Sequence, residues 1–230
     1  MLDFINSSLF LIRKRGKMIK NYALKHGWFY YYRLREDKVK AINGNFSSLR
    51  SFLENVGINC PNEYFNKGPR SSSLTFKIKG LKLHCLQGHE INALAREALK
   101  LANSRDAHTA IELFLLKNDD KTMAVEVPLW LETNEIAFFN ELFKSKDPLT
   151  GHIDILRLEN DKIWIWDYKP NSQQEIYAST QTFFYAYMLS KRTNIDLDNF
   201  RCGYFDSNYA YVFNPAKASI VKDNSLVNFI

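Results

Sequence analysis

The chain has 230 residues, 46% hydrophobic and 14% aromatic, with only 9 Gly and 6 Pro, which supports a sizeable core and excludes global disorder and collagen-like or low-complexity character. No apolar run approaches the about 18 residues of a membrane span. The opening MLDFINSSLFLIRKRGK places its acid first and its basic cluster after the apolar part, the wrong order for a secretory signal. Cys60, Cys85 and Cys202 are odd in number and far apart, which fits neither a disulfide framework nor a CxxC zinc site. An intracellular setting is expected, whether cytoplasm, nucleoid or, for a viral protein, host cytoplasm. The net charge of +6 is uneven: residues 1–50 hold 11 Lys and Arg against 3 Asp and Glu, and the other 180 residues hold 20 against 22. A basic N-terminal part beside a near-neutral body suits a polyanionic partner, although a solvated helix face would look the same.

In chain order, residues 5–26 mix apolar and basic residues at helix-like spacing. Trp28-Phe29-Tyr30-Tyr31-Tyr32 is a dense aromatic run flanked by Arg33 and Arg35, read as core or as a stacking surface for unpaired bases. Ser47 or Ser48 caps a short helix ending at Gly57. Residues 57–75, with Pro61, Gly68, Pro69 and three serines, read as a connector. This divides the chain into a basic, aromatic-rich, mainly helical lobe (1–70) and a main domain (71–230). In the latter, 89–103 has helical spacing with Ile91, Leu94, Ala98 and Leu101 on one side, and 107–117 is a second helix. Residues 122–132 form a strand and 134–144 a helix. Residues 151–158 and 162–169 are two strands, 173–192 a long helix, and 200–205 and 209–215 two further strands. The order predicts an α/β fold with a mixed central β-sheet flanked by helices.

The stretch IWIWDYKP (163–170) is apolar up to Trp166 and then ends in an acid and a base. If Asn160-Asp161 is a two-residue hairpin loop, Glu159 faces Lys162 and Asp154 falls directly opposite Asp167. Alternation then puts His152, Asp154, Asp167 and Lys169 in one polar cluster. Opposed carboxylates repel, so positive charge must compensate. Lys169 supplies one charge, and a divalent cation with oxygen ligands, Mg2+ or Mn2+, is the natural second source. Two acids splayed into water at a strand end are the plain structural alternative. Glu126 lies in the apolar strand AVEVPLW and needs a partner there, either that site or a base such as Lys169.

Gly151-His152-Ile153-Asp154, Asp167-Tyr168-Lys169 and Gln181 with Tyr185 together resemble the PD-(D/E)XK nuclease superfamily. The closer likeness is to its RecB-like branch, with G-x-x-D, D-x-K and Q-x-x-x-Y in that order over about residues 76–215. The resemblance implies a restriction-endonuclease-like core and Mg2+- or Mn2+-dependent hydrolysis of DNA. It makes Asp154 and Asp167 metal-binding carboxylates, Lys169 the lysine that orients or activates the attacking water, and Gln181 and Tyr185, one helix face apart by four residues, substrate-channel residues, with His152 beside them. The branch also carries an upstream metal-binding His, as G-x-x-x-H at a helix start. Gly80-Leu81-Lys82-Leu83-His84 fits that spacing and His89 is its rival, although a His near a helix start commonly caps or packs.

Some relatives hold an iron–sulfur cluster on four Cys; three scattered Cys predict none here. No GxxxxGK[ST] loop is present, so unwinding would come from a helicase or recombination partner. The expected partner is DNA, single-stranded or at ends and junctions, acted on as an exonuclease or a structure-selective endonuclease. A nucleic-acid-binding module that has lost catalysis is the rival reading, and the intact Asp154, Asp167 and Lys169 speak against it.

Overall fold

The structure, a computed structural model, describes residues 18–78, 80–102 and 106–218. The elements run β1 (Ile19–His26), β2 (Trp28–Arg35), α1 (Glu36–Ala41), α2 (Ser47–Asn59), α3 (Tyr64–Lys67), β3 (His84–Gln87), α4 (Glu90–Leu101), α5 (Ala107–Asn118), β4 (Thr122–Leu131), α6 (Phe139–Phe143), β5 (Leu149–Glu159), β6 (Lys162–Tyr168), α7 (Ala178–Thr193), β7 (Phe200–Phe205) and β8 (Tyr209–Phe213). The strands form one sheet in the order β1-β2-β4-β5-β6-β7-β8-β3. Among the described residues no helix is long and apolar enough to cross a membrane.

β6 is the pivot of this sheet. It pairs antiparallel with β5 and parallel with β7, and a parallel neighbour requires a crossover, which α7 provides. Asn160 and Asp161 both have positive φ, 50° and 53°, as a two-residue type I′ turn demands. The ladder runs from Glu159↔Lys162 to Ile155↔Trp166, so the expected register holds, and its next step sets Asp154 against Asp167. Apolar side chains cover both faces. Leu53 of α2 and Phe183 and Phe184 of α7 share one buried cluster with Ile163 and Ile165. Ile91 of α4 and Ile111 and Leu115 of α5 share the other with Trp166 and Phe205.

β4 and β5 change face at one level. Val125 and Ile155 pack in the α4/α5 cluster, whereas Val127 and Ile153 pack in the α7 cluster. Residues two apart in a regular strand share a face, so the alternation breaks at Glu126 and Asp154. Glu126 sits there at φ 52°, a left-handed backbone that costs a non-glycine residue on the order of 1–3 kcal/mol. Strain of this kind inside a central strand marks a place where side-chain direction matters more than local stability.

The N-terminal part differs from expectation. Residues 19–35 are two strands, β1 and β2, not a helix, and β2 pairs with β4 through Arg33↔Val125 and Leu34↔Ala124. Period-two burial of Leu24 and His26, and of Tyr32 and Leu34, explains the strands, and the apolar-basic mixture imitated a helix. Leu24, Tyr32, Leu34 and Leu53 lie in the same buried cluster as Val127 and Leu129. The helix-like reading of residues 5–17 lies outside the described residues. Trp28, Phe29 and Tyr31 are exposed at 80%, 58% and 49%, and of the five aromatics only Tyr32 is fully core.

Smaller departures have local causes. α2 runs past Gly57 to Asn59 without a side-chain cap, and Gly57 serves packing, because a Cβ there would overlap the Tyr22 ring. The connector holds α3 and a 3-10 turn at Ser71–Ser73. α6 is limited to five residues by left-handed Phe138 and Lys144 on either side. α7 begins at Ala178 rather than 173, since Ser172 is tied by its N–H and hydroxyl to Asp206 Oδ2. In α4 the buried positions are Ile91, Asn92, Ala95 and Ala98, and Leu101 is exposed.

Candidate active site

Three acids stand in a row across β4, β5 and β6. The registers Val125↔Ile155 and Val127↔Ile153 bracket Glu126 and Asp154, and the β5–β6 ladder leads from Ile155↔Trp166 to Asp154 and Asp167. α5 approaches this row from one side and α7 from the other. Asp106 caps α5, accepting from the Thr109 N–H at 3.2 Å and the Thr109 hydroxyl at 2.5 Å, which fixes His108 in the first turn. His108 and Glu112 are four residues apart and therefore on one helix face.

The contacts are short and specific. Asp154 Oδ2 is 2.6 Å from His108 Nε2 and accepts the Tyr168 N–H at 2.9 Å. Asp167 Oδ2 is 2.7 Å from Lys169 Nζ, and its Oδ1 accepts from Gln181 Nε2 at 2.9 Å. The same amide donates to the Tyr185 hydroxyl at 2.8 Å. Gly151 is what lets Tyr185 approach, because a Cβ there would collide with the Tyr185 ring and with Ser71 Oγ. His108, Glu126, Asp154, Asp167 and Lys169 line one cavity of about 200 Å³ with Gln181, Tyr185 and His152.

The electrostatics follow from crowding. Burial, then the Asp154 charge, pushes Asp167 up to about 7, and the same two causes push Glu126 up to about 7. Burial and the neighbouring Glu126 and Asp154 charges drive Glu112 well above the usual carboxylate range. The Glu112 side chain hydrogen-bonds to Glu126 and so partly offsets the upward push on Glu126. Burial also opposes the Asp154 charge, but His108, Lys169 and the Tyr168 N–H outweigh it and hold that carboxyl low. Burial opposes the His108 charge as well, and Asp154 reverses this, bringing the imidazole up to about 9. Lys169 is raised against its burial by Asp167 and Asp154, so it is an ammonium at neutral pH.

Such a group fits a divalent cation. His108, Glu112 and Asp154 each offer a ligand atom, all within 4.8 Å of one another. Glu112 Oε1 is buried without a hydrogen-bond partner, a costly state that a cation relieves. Carboxylate oxygens with one imidazole are a donor set for a hard or borderline divalent ion, and its charge would also reverse the upward pressure on Asp167 and Glu126.

Two expected ligands are elsewhere. His84 is exposed on β3 and pairs with Val212 of β8; β3 is three strands from β6, about 14 Å away. His89 caps α4, its Nδ1 accepting from the Ile91 N–H at 3.2 Å, and its ring packs 5.2 Å from Trp166. The histidine brought to the acids is His108. Its sequence context hid it, because Ser104 stands where G-x-x-x-H requires glycine. The usable signal was His108 and Glu112 at helical spacing on α5, with a buried Glu in an apolar helix. His152 lines the cavity but bonds no acid: its Nε2 is 2.7 Å from His26 Nδ1 and its ring stacks on Tyr30 at 4.1 Å. Glu126 faces Glu112 and Asp154 rather than pairing with Lys169.

A search among curated proteins finds no match to the chain. The model of the PD-(D/E)XK nuclease superfamily matches residues 84–225, well over half of the sequence and inclusive of His108, Glu126, Asp154, Asp167 and Lys169. Given that match, and an eight-stranded mixed sheet that brings the D-x-K pair and its opposing aspartate into one cavity, the chain belongs to the PD-(D/E)XK nuclease superfamily.

Proposed function

We propose that this protein is a Mg2+- or Mn2+-dependent deoxyribonuclease of RecB-like type, acting on single strands, ends or junctions. The observation that carries the reading is the 2.7 Å pair of Lys169 Nζ and Asp167 Oδ2 beside an Asp154 held by His108, all in one cavity. Gln181, hydrogen-bonded to both Asp167 and Tyr185, supports the RecB-like assignment, since it joins the Q-x-x-x-Y pair to the catalytic acid.

The bound divalent ion supplies charge neutralisation at the scissile phosphate and a more acidic water. His108, Glu112 and Asp154 would hold it, with Asp167 beside them, and Glu126 would keep the floor of the site acidic. Lys169 is charged and so cannot take a proton. Its role is electrostatic, placing an ammonium where the attacking oxygen and the pentavalent phosphorus gather negative charge. Gln181 orients Asp167 by occupying Oδ1, which leaves Oδ2 toward Lys169 and the cavity. The exposed Trp28, Phe29 and Tyr31 within residues 1–70, with Lys25 and Arg33 nearby, provide stacking surface and positive charge for an unpaired strand. Duplex unwinding is left to a helicase or recombination partner.

The test is cleavage of single-stranded, duplex and flapped DNA in Mg2+ and Mn2+. Wild type cuts at least one of them, EDTA abolishes it, and Asp167→Ala and Lys169→Ala fail to cut while melting as cooperatively as wild type. Cleavage that survives either substitution, or absence of any cleavage in both metals, overturns the proposal.

A further inference from the structure

The active-site cavity has a further cation that the metal chemistry leaves unused. Arg70 lines the cavity together with Lys169, Tyr30 and His152. Its backbone is fixed just before the Ser71–Ser73 turn: Arg70 bridges Thr150 of β5, and Pro69 O accepts the Thr150 N–H at 2.9 Å. Its guanidinium is aimed by two neutral acceptors, with Nη1 donating to the Tyr30 hydroxyl at 2.7 Å and Nη2 to the His26 carbonyl at 2.7 Å. A guanidinium has five N–H donors, so these bonds leave three for something else. Arg35, Arg50, Arg157 and Arg192 each have a carboxylate partner. Arg70 has none among the described residues.

An arginine held rigidly in a partly buried cavity without an acid partner is prepared for an external anion. The cavity, at about 200 Å³, is smaller than the roughly 300–1,000 Å³ of small-molecule sites, so it admits a phosphodiester rather than a whole nucleotide. Arg70 approaches from β5 upstream of His152, itself two residues and about 7 Å along the strand from Asp154. The guanidinium sits over the Tyr30 ring, which stacks on His152, so it stands on the His152 side of the cavity and off from Asp154 and Asp167, where the group under attack would lie. We infer that Arg70 binds a non-bridging oxygen of the phosphodiester next to the scissile one, and that Tyr30 and the His26 carbonyl are its positioning groups. This rests on the nuclease reading and names the contact that holds the substrate strand in register with the acids.

The experiment is anisotropy of a labelled single-stranded oligodeoxynucleotide, titrated in Ca2+ over a range of salt, with wild-type cleavage in Mg2+ and Mn2+ run in parallel. Arg70→Met keeps the packing of the stem and removes the charge. Its Kd rises about tenfold, as loss of a hydrogen bond to a charged group implies, and the slope of log K against log salt falls by about 0.7, one phosphate's worth on a single strand. Arg70→Lys recovers the slope and part of the affinity. Tyr30→Phe keeps the ring on His152 but removes one of the two bonds that aim the guanidinium, so Kd rises with the slope unchanged. A merely structural Arg70 would lower the melting temperature in all three without altering the slope. If Arg70→Met binds with wild-type Kd and slope while wild type binds and cuts, the inference fails and the nuclease reading stands. If wild type neither binds nor cuts, both fail. If Arg70→Met does not fold, wild-type affinity in both Arg70→Lys and Tyr30→Phe overturns the inference.

Discussion

His108 Nε2 lies 2.6 Å from Asp154 Oδ2, joining the first turn of α5 to the middle of β5 across residues that the sequence separates by 46 positions. In the proposed metal site, the contact puts His108 beside the acids, where His84 and His89 do not lie. His108→Ala is expected to weaken Mn2+ binding by about 10- to 100-fold, the range seen when a metal site loses a supporting group. His84→Ala and His89→Ala should leave it unchanged. Calorimetric titration of the three variants checks this; equal affinity in His108→Ala and wild type contradicts it.

The raised carboxyl groups set a pH dependence. Asp167 and Glu126 both stand at about 7, above their ordinary values of about 4. A group whose folded pKa is raised stabilises the fold below its ordinary pKa, and that contribution is lost as pH rises through the folded pKa. The metal-free protein therefore loses stability between about pH 4 and 7. A divalent ion replaces those protons, and it must also displace the proton on His108, whose imidazole Asp154 raises to about 9. The rise in melting temperature produced by Mn2+ should be small at pH 6 and grow through pH 7 and 8. A metal-induced shift that is flat over this range would contradict the assignment.

How much of this was legible depends on which forces set each part. The β5–β6 hairpin was readable because Asn160-Asp161 is a local turn signal and strand period fixes everything after it. That placed Asp154 against Asp167 before any tertiary information. The pairing of β2 with β4 is non-local, and β1, with Lys20 and Lys25 exposed among apolar residues, imitates a basic helix. His108 was hidden for a related reason, since its partner Asp154 is distant in sequence and the spacing rule that finds such a histidine asks for a glycine that this chain lacks. The face change at Glu126 and Asp154 leaves no sequence trace at all, because Val, Ile and Leu occupy both faces of these buried strands.

Gly151 tests whether the close approach of α7 to β5 is structural. A Cβ there meets the Tyr185 ring and Ser71 Oγ, and Tyr185 is packed in the core and bonded to Gln181, so it has little room to move. Gly151→Ala should cost about 1–3 kcal/mol, a fall of roughly 2–12 °C for a domain of this size. It should also displace Gln181 from Asp167 and lower kcat more than it raises KM. Thermal melts and steady-state cleavage together decide. A variant as stable and active as wild type would show that Tyr185 can yield.

The exposed aromatics of β2 separate binding from folding. Trp28 and Phe29 sit at the tip of the β1–β2 hairpin, at 80% and 58% exposure. His26, on β1, packs inward on Phe65 at 3.6 Å, so the ribbon is anchored by its other side chains. Removing exposed rings changes stability within about 0.5 kcal/mol. Stacking on an unpaired base is worth about 1–3 kcal/mol per base. The double variant Trp28→Ala/Phe29→Ala should therefore melt like wild type yet bind single-stranded DNA at least about fivefold more weakly. Its duplex binding should change little, since paired bases present no free face to stack on. Anisotropy titrations with single-stranded and blunt duplex probes distinguish the cases. Equal loss on both probes would point to a backbone contact instead of stacking, and no loss on either would remove the hairpin from the substrate path.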